Sequence, residues 1–330
     1  MDESPRIDVV FMLLPGSLIL DWAGPAEAFR LANQALLRQG RAARFRLRYA
    51  GPQAQAPSSV GAAISGIEPL PQQLADPTWL VLVGMPGSEV DVAGPAARQA
   101  IAWLRGLRPG HAGLRLITVC AGALFAAHAG LLQGRSATTH HHHLDELRRA
   151  EPRCQVVANR VFVQDQDVWS SAGITTGIDL ALHLVAQACG AALAAQVAQT
   201  MVVALRRGPH DPELSPFLGY RNHIHPGLHR VQDAVSLQPQ QGWTVPRMAD
   251  LANASPRHLT RLFLDHAGIA PLQYLRRIRL ATAQVALQSG RNVTQAAELA
   301  GFGSDTQLRR AWHQFGLHGT PSDLVSLQKS

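Results

Sequence analysis

A four-residue motif occurs twice in the last third of this chain, and the residues after each copy also match. Ala249-Asp250-Leu251-Ala252 recurs as Ala297-Glu298-Leu299-Ala300. Each copy is followed by a short turn, Asn253-Ala254 or Gly301-Phe302-Gly303, and then by a serine, Ser255 or Ser304. Beyond each serine comes a Leu-x-Arg-x-aromatic pattern, as Leu259, Arg261, Phe263 and as Leu308, Arg310, Trp312. Asn and Gly tolerate the left-handed backbone that ends a helix, and serine caps the start of the next. The duplication therefore predicts two helix-turn-helix units in an all-α region. In the first, Leu259, Leu262 and Phe263 face the core. Arg257, Thr260 and Arg261, spaced i, i+3, i+4, share the opposite face near the helix N-terminus. Thr306, Gln307 and Arg310 hold the equivalent face of the second. Such faces meet base edges when a recognition helix enters the major groove. These six are the candidate DNA-binding residues. Between the units Pro271 opens a helical run over 272–288, about 25 Å long at ~1.5 Å per residue. A spacer of that size can hold two recognition helices about one DNA turn, roughly 34 Å, apart.

Charge concentrates in the same region. Residues 228–330 hold 11 Lys+Arg against 6 Asp+Glu, while residues 1–227 hold 19 against 17. A cationic all-α region fits double-stranded DNA as partner, since phosphate neutralisation supplies the sequence-independent part of affinity.

Residues 6–205 have another rhythm. Short apolar runs at 7–14, 45–50, 79–83 and 114–119 have strand length, and helical patterns lie between them at 24–38 and 95–107. That alternation predicts an α/β, flavodoxin-like fold: a mostly parallel sheet covered by helices on both faces. Thr175-Thr176 offers an N-cap for a helix to about Ala188, Gly190 breaks it, and a second apolar helix is expected over 191–205. This pair either covers the sheet or supplies a dimer interface. Pro209, Pro212, Pro216 and Pro226 mark 208–227 as a connector. The 330 residues suffice for two cores, so the organisation predicted is 1–207, a linker at 208–227, and 228–330.

Val119-Cys120-Ala121-Gly122-Ala123 comes after a strand and opens a helix. A residue at such an elbow projects into a cleft above the sheet, where backbone N–H groups favour a thiolate. The three cysteines, Cys120, Cys154 and Cys189, do not suggest a disulfide scaffold. His140 to His143 are consecutive, and four adjacent residues are not expected all to converge on one ion, so His140 is read as a pocket residue, the rest as solvated, and no metal and no cofactor is expected. The N-terminus lacks the basic flank and apolar run of a signal peptide, and no run is long and apolar enough to span a bilayer. The compartment expected is the cytoplasm.

Ser255-Pro256-Arg257-His258-Leu259-Thr260-Arg261-Leu262-Phe263, then Gly268, Pro271, 274–280 and Ala300-Gly301-Phe302-Gly303, resemble the AraC/XylS-type DNA-binding domain. Leu324 stands where that family prefers an aromatic residue. Leu13-Leu14-Pro15-Gly16, Leu20-Asp21-Trp22-Ala23-Gly24-Pro25, the Cys120 elbow, 134–140 and 170–180 resemble the ThiJ/PfpI group of the class I glutamine amidotransferase-like superfamily. That resemblance implies a reactive elbow at Cys120, an acidic partner at Asp21 and a histidine at His140; from position alone, Gly87 after Val83-Gly84-Met85-Pro86 can offer an oxyanion-type N–H, and Trp22 beside Asp21 is either core or a lining of the cleft. Two functions are compatible with it. As an enzyme, a cysteine-dependent hydrolase or hydratase, Cys120 is the nucleophile, His140 its base and Asp21 a proton-sharing acid. As a sensor, Asp21, Trp22, Gly87, Cys120 and His140 bind a small effector without turnover. A complete DNA-binding module in the same chain favours the sensor. The combined resemblance implies a transcriptional activator, homodimeric, working with RNA polymerase and responding to a small nitrogen-containing metabolite.

Overall fold

The computed structural model describes residues 5–203, 219–221, 223–317 and 319–326. The chain divides into two compact units, 1–213 and 214–330.

The first unit opens with β1 (Ile7–Met12), α1 (Ile19–Arg38), β2 (Phe45–Gly51), the hairpin β3 (Gln55–Pro57) and β4 (Ala63–Ser65), and β5 (Glu68–Pro69). It continues through β6 (Thr78–Leu82), α2 (Pro95–Leu104), β7 (Leu114–Val119), α3 (Gly122–His128), β8 (Ser136–Ala137), α4 (Leu144–Ala150) and β9 (Gln155–Val156). β10 (Phe162–Asp165), β11 (Val168–Ser171), α5 (Thr176–Cys189) and α6 (Ala191–Thr200) complete it. Seven strands form one sheet in the order β10-β11-β7-β6-β1-β2-β5, parallel except for the β10–β11 pair. β1 and β6 are buried along their whole length, which is why they read as unbroken apolar runs.

Connectivity decides where a site can form. From β1 the chain crosses to β2 on one side; from β6 it crosses to β7 on the other. Right-handed crossovers running in opposite directions put α1 on one face of the sheet and α2 on the other. α5 and α6 pack with α1, while α3 packs with α2 and α4. The reversal falls between β1 and β6, and ligands of open α/β sheets bind in the crevice outside the strand ends at such a point.

Three local features depart from expectation. α1 begins at Ile19, well before residue 24, despite Gly24 and Pro25 within it. Asp21, Gly24, Pro25, Ala28, Phe29, Ala32, Ala35 and Leu36 are all buried, and that continuous, mainly apolar stripe outweighs the hydrogen bond Pro25 forfeits. Thr175 occupies the N-cap of α5 but makes no side-chain cap bond there; the Thr176 hydroxyl instead accepts from the Gly173 N–H at 2.7 Å. The last helix ends at Thr200, and the rest of its expected span to 205 lies partly outside the described residues.

Most of the connector expected at 208–227 is likewise outside the described residues. Its described residues fall in the second unit, and the last two, Pro226 and Gly227, start α7 (Pro226–Leu237), capped by His225 Nδ1 on the Leu228 N–H at 3.2 Å. Six more helices come after it: α8 (Val245–Ala252), α9 (Pro256–Ala267), α10 (Pro271–Gln288), α11 (Val293–Ala300), α12 (Asp305–Gln314) and α13 (Pro321–Ser326). The turn after α8 runs through Asn253 at φ 53° and the turn after α11 through Gly301 at φ 81°, both left-handed. Ser255 accepts from the His258 N–H and Ser304 from the Gln307 N–H, each at 3.2 Å. Both predicted helix-turn-helix units are thus present, with their caps.

One helix serves two cores. Tyr274, Leu275 and Ile278 of α10 pack with Leu228, Val231, Met248, Leu259 and Phe263. Leu280, Ala283 and Leu287 of the same helix pack with Ala296, Ala297, Ala300, Leu308 and Trp312. Arg279 sits between the two sets, donating from Nε to the Pro239 carbonyl at 2.8 Å and from Nη2 to the Gln241 carbonyl at 2.9 Å. Gly301 closes on the same loop, so tightly that a Cβ there would lie 2.5 Å from Gln240 Cα. The second turn is therefore seated against the loop that precedes the first helix-turn-helix.

Candidate functional site

The cationic faces of the second unit are built by the serine caps. Each cap fixes the register of its recognition helix, burying Leu259 and Phe263 in one and Leu308 and Trp312 in the other. Opposite these, Arg257, Arg261, Thr306, Gln307 and Arg310 are exposed and Thr260 is half-buried. Not all six are equally free. The Thr260 hydroxyl donates back to the Pro256 carbonyl at 2.9 Å, and Gln307 Oε1 accepts from the Gly303 N–H at 2.8 Å. Gln307 therefore braces its own turn with half of its amide. His258 is not singled out by the i, i+3, i+4 spacing, yet it lies on the same face, 3.0 Å from Arg261 Nη2. Aligning the two serine caps matches His258 to Gln307, a signal in the sequence that identifies it. Trp243, Arg276, Arg279, Phe302, Gln307 and Arg310 border a cavity of about 330 Å³ on this unit, so Arg310 stands near two other arginines.

In the first unit, segments after three adjacent strand ends converge. Asp21 comes after β1, Gly84 after β6 and Cys120 after β7. Cys120 has φ 54°, the strained left-handed backbone expected of a nucleophile elbow, and is buried. Its N–H donates to the Ser171 carbonyl at 3.0 Å, and its carbonyl accepts from the Thr139 hydroxyl at 2.8 Å. Asp21 is fully buried, and its Oδ2 accepts from the Gly84 N–H at 2.8 Å. A Cβ on Gly84 would stand 2.7 Å from Asp21 Oδ2 and 3.0 Å from Cys120 Cβ, so only glycine lets these two side chains approach. The glycine found against the elbow is Gly84. Gly87, singled out from the sequence, has φ 128° and turns back on the Glu89 carbonyl.

Asp21 Oδ1 and the neighbouring Trp22 Nε1 are buried without a hydrogen-bond partner among the described residues. Trp22 meets Tyr49 edge-on at 5.5 Å. Burial pushes the Asp21 carboxyl up to about 7, against the lowering effect of the Gly84 N–H. The folded protein thus holds a proton on Asp21 at pH values where the unfolded chain has lost it. Stability attributable to this group falls as pH rises from about 4 to about 7, by on the order of 4 kcal/mol at most. Replacing Asp21→Asn should remove that dependence: the Tm of the variant relative to wild type should climb from pH 5 to pH 8 and then level. Parallel Tm curves in scanning calorimetry would contradict the buried, protonated carboxyl.

His140 is half-buried and leads from Thr139 into a 3-10 turn, His141–His143. Its Nδ1 is 3.3 Å from the His142 N–H, and its ring lies 4.2 Å from that of His141. Burial and the three neighbouring imidazoles lower it to about 4, so it is neutral at pH 7. The four histidines do not all converge, since His143 turns instead to Glu146 at 2.7 Å, but the other three approach one another. The tight turn brings one ring nitrogen of each of His140, His141 and His142 within 4.8 Å of one another.

The sequence matches the DJ-1/PfpI family over residues 74–187 and a Helix-turn-helix domain family over residues 248–324. The HTH-type transcriptional regulator GbdR of Pseudomonas aeruginosa is 26% identical over 62% of this chain and 55% of its own length. The chain thus aligns with little more than half of that relative. The HTH-type transcriptional regulator Rv1931c of Mycobacterium tuberculosis is 30% identical over 71% of this chain and 94% of its own length. A solved AraC family transcriptional regulator from Pseudomonas putida superposes with a TM-score of 0.50 at 21% identity, covering 60% of this chain and all of its own, which establishes the fold of that part. With a DJ-1/PfpI domain ahead of two capped helix-turn-helix units, the chain belongs to the AraC-type HTH transcriptional regulators.

Proposed function

We propose that the chain is a transcriptional activator that binds double-stranded DNA through its second unit and senses a small nitrogen-containing metabolite in its first. The observation that carries this reading is the pair of capped recognition helices on one shared helix, each presenting an exposed arginine face. Arg257, Thr260 and Arg261 of α9 and Thr306, Gln307 and Arg310 of α12 contact two successive stretches of major groove. Asp21 Oδ1 and Trp22 Nε1 support the sensor half: buried polar atoms without partners are rare, and a ligand that satisfies both gains hydrogen bonds that water does not compete for. With its carboxyl raised to about 7, Asp21 Oδ1 can accept when ionised or donate when protonated, and beside the indole N–H it suits a polar, nitrogen-bearing ligand.

Turnover is not part of this proposal. A general base works best with a pKa near the operating pH, and His140 lies far below it. Cys120, Asp21, Trp22, Gly87 and His140 act as an effector pocket. The regulator works as a homodimer in the cytoplasm and engages RNA polymerase at its promoter; among the described residues no helix is long and apolar enough to cross a membrane. The test is whether full-length protein prefers DNA from beside its own gene over unrelated DNA of the same length.

A further inference from the structure

We propose that His140, His141 and His142 form a binding site for a divalent late-first-row transition metal ion, Zn²⁺ being the reference case. The three consecutive residues lie at the entry to a 3-10 turn, and one ring nitrogen of each falls within 4.8 Å of the other two. Ring centroids are 4.2 Å apart for His140 and His141, 4.3 Å for His141 and His142, and 4.9 Å for His140 and His142. At Zn–N distances of ~2.0–2.1 Å, tetrahedral ligand nitrogens sit roughly 3.4 Å apart. Rotation of the exposed His142 side chain, with small adjustments of the half-buried other two, closes the difference.

The turn that carries them is held from both sides. Upstream, the Thr139 hydroxyl donates to the Cys120 carbonyl at 2.8 Å, and the Thr138 N–H donates to the Ser170 hydroxyl at 2.8 Å. Downstream, His143 is buried with Nδ1 2.7 Å from Glu146 Oε2, and Glu146 Oε1 accepts from the Val90 N–H at 3.1 Å. His143 is thus an anchor, and the three residues before it are the ligands. Anchoring matters energetically, because a site held in place before the ion arrives loses less conformational entropy on binding. Nδ1 of His140 presents its lone pair to the His142 N–H at 3.3 Å, a long contact that an ion replaces at small cost.

Donor chemistry selects the ion. Three imidazoles without a carboxylate suit Zn²⁺, Cu²⁺ or Ni²⁺ and disfavour Mg²⁺ and Ca²⁺, which require oxygen ligands. Three protein ligands leave a fourth position for water or another ligand. The site is one residue from Thr139, so an ordered ion also fixes the segment that touches the Cys120 backbone.

Chelator-stripped full-length protein titrated with Zn²⁺ by calorimetry, in competition with a chromophoric chelator, should bind one ion per chain at this site. His142→Ala, at an exposed position, should weaken that binding tenfold or more while leaving the Tm of the metal-free protein unchanged. His140→Ala should weaken Zn²⁺ binding by a similar factor, and Mg²⁺ should not compete. Co²⁺ loaded in place of Zn²⁺ should show the strong visible absorption of a four-coordinate site, lost in both variants. Absence of stoichiometric binding, or Zn²⁺ affinity unchanged in both variants, overturns the proposal.

Discussion

Arg261→Ala and Arg310→Ala combined should lower affinity for the regulator's own DNA site by on the order of 10²-fold or more, with the fold intact. Each arginine is exposed on its recognition helix, so its removal leaves neither core disturbed. A bidentate contact to a base contributes roughly 1–3 kcal/mol, and losses at well-separated positions add. Arg261→Ala alone should relax preference at one position of the site, and Arg310→Ala at a second, about one helical turn away. His258 approaches Arg261 at 3.0 Å and orients it, so His258→Ala should give a smaller loss at the same position as Arg261→Ala. Binding curves on a set of single-base variants distinguish this from a phosphate contact. A phosphate contact would weaken every sequence alike and reduce the salt dependence by about one counterion.

A second strong loss is expected at the crevice of the first unit. On the proposed sensor reading, Asp21→Ala should shift the effector concentration needed for half-maximal transcription upward about tenfold or more, because it removes the buried carboxyl oxygen proposed to pair with the ligand, a contact worth about 1–3 kcal/mol. Cys120→Ser should leave the response nearly unchanged. It keeps the volume and a hydrogen-bonding atom at the elbow while removing the thiolate. An enzyme would behave in the opposite way, since no neighbour offers the same nucleophile at the same place. A reporter dose-response run beside an assay of effector consumption separates the two. Consumption by wild type, lost together with the transcriptional response in Cys120→Ser, would establish a regulator that must process its ligand.

The second unit can be read from the sequence in detail because its chemistry is local. A left-handed residue, a serine cap and an apolar i, i+3, i+4 stripe are each written in a few adjacent residues, and Asn253, Gly301, Ser255 and Ser304 all take the roles their types suggest. The elbow at Cys120 is readable for the same reason, with β7 before it and α3 after it. The features that escape depend on contacts between distant segments. Gly24 and Pro25 look like a break until the buried face of α1 is seen, and only that face puts Asp21 inside the helix. Gly84 and Gly87 are both glycines after one strand, and nothing local says which of them meets Cys120. The β10–β11 hairpin mixes polar and apolar residues at a sheet edge, where packing against β7 decides the conformation. Three of the histidines approach one another because the chain changes direction there, from extended His140 at φ -54° and ψ 139° into the 3-10 turn, and that junction is not written in four identical residues.

Recognition of particular DNA through the two helix-turn-helix units can be measured by capture of short genomic fragments with full-length protein. At 0.15 M salt, purely electrostatic binding is suppressed. A small set of fragments should be enriched, among them DNA beside the protein's own gene, sharing two half-sites about one helical turn apart. That enrichment should be lost in the Arg261→Ala, Arg310→Ala double variant. Uniform recovery of all fragments, or enrichment that survives in the double variant, would contradict sequence-specific binding through these helices.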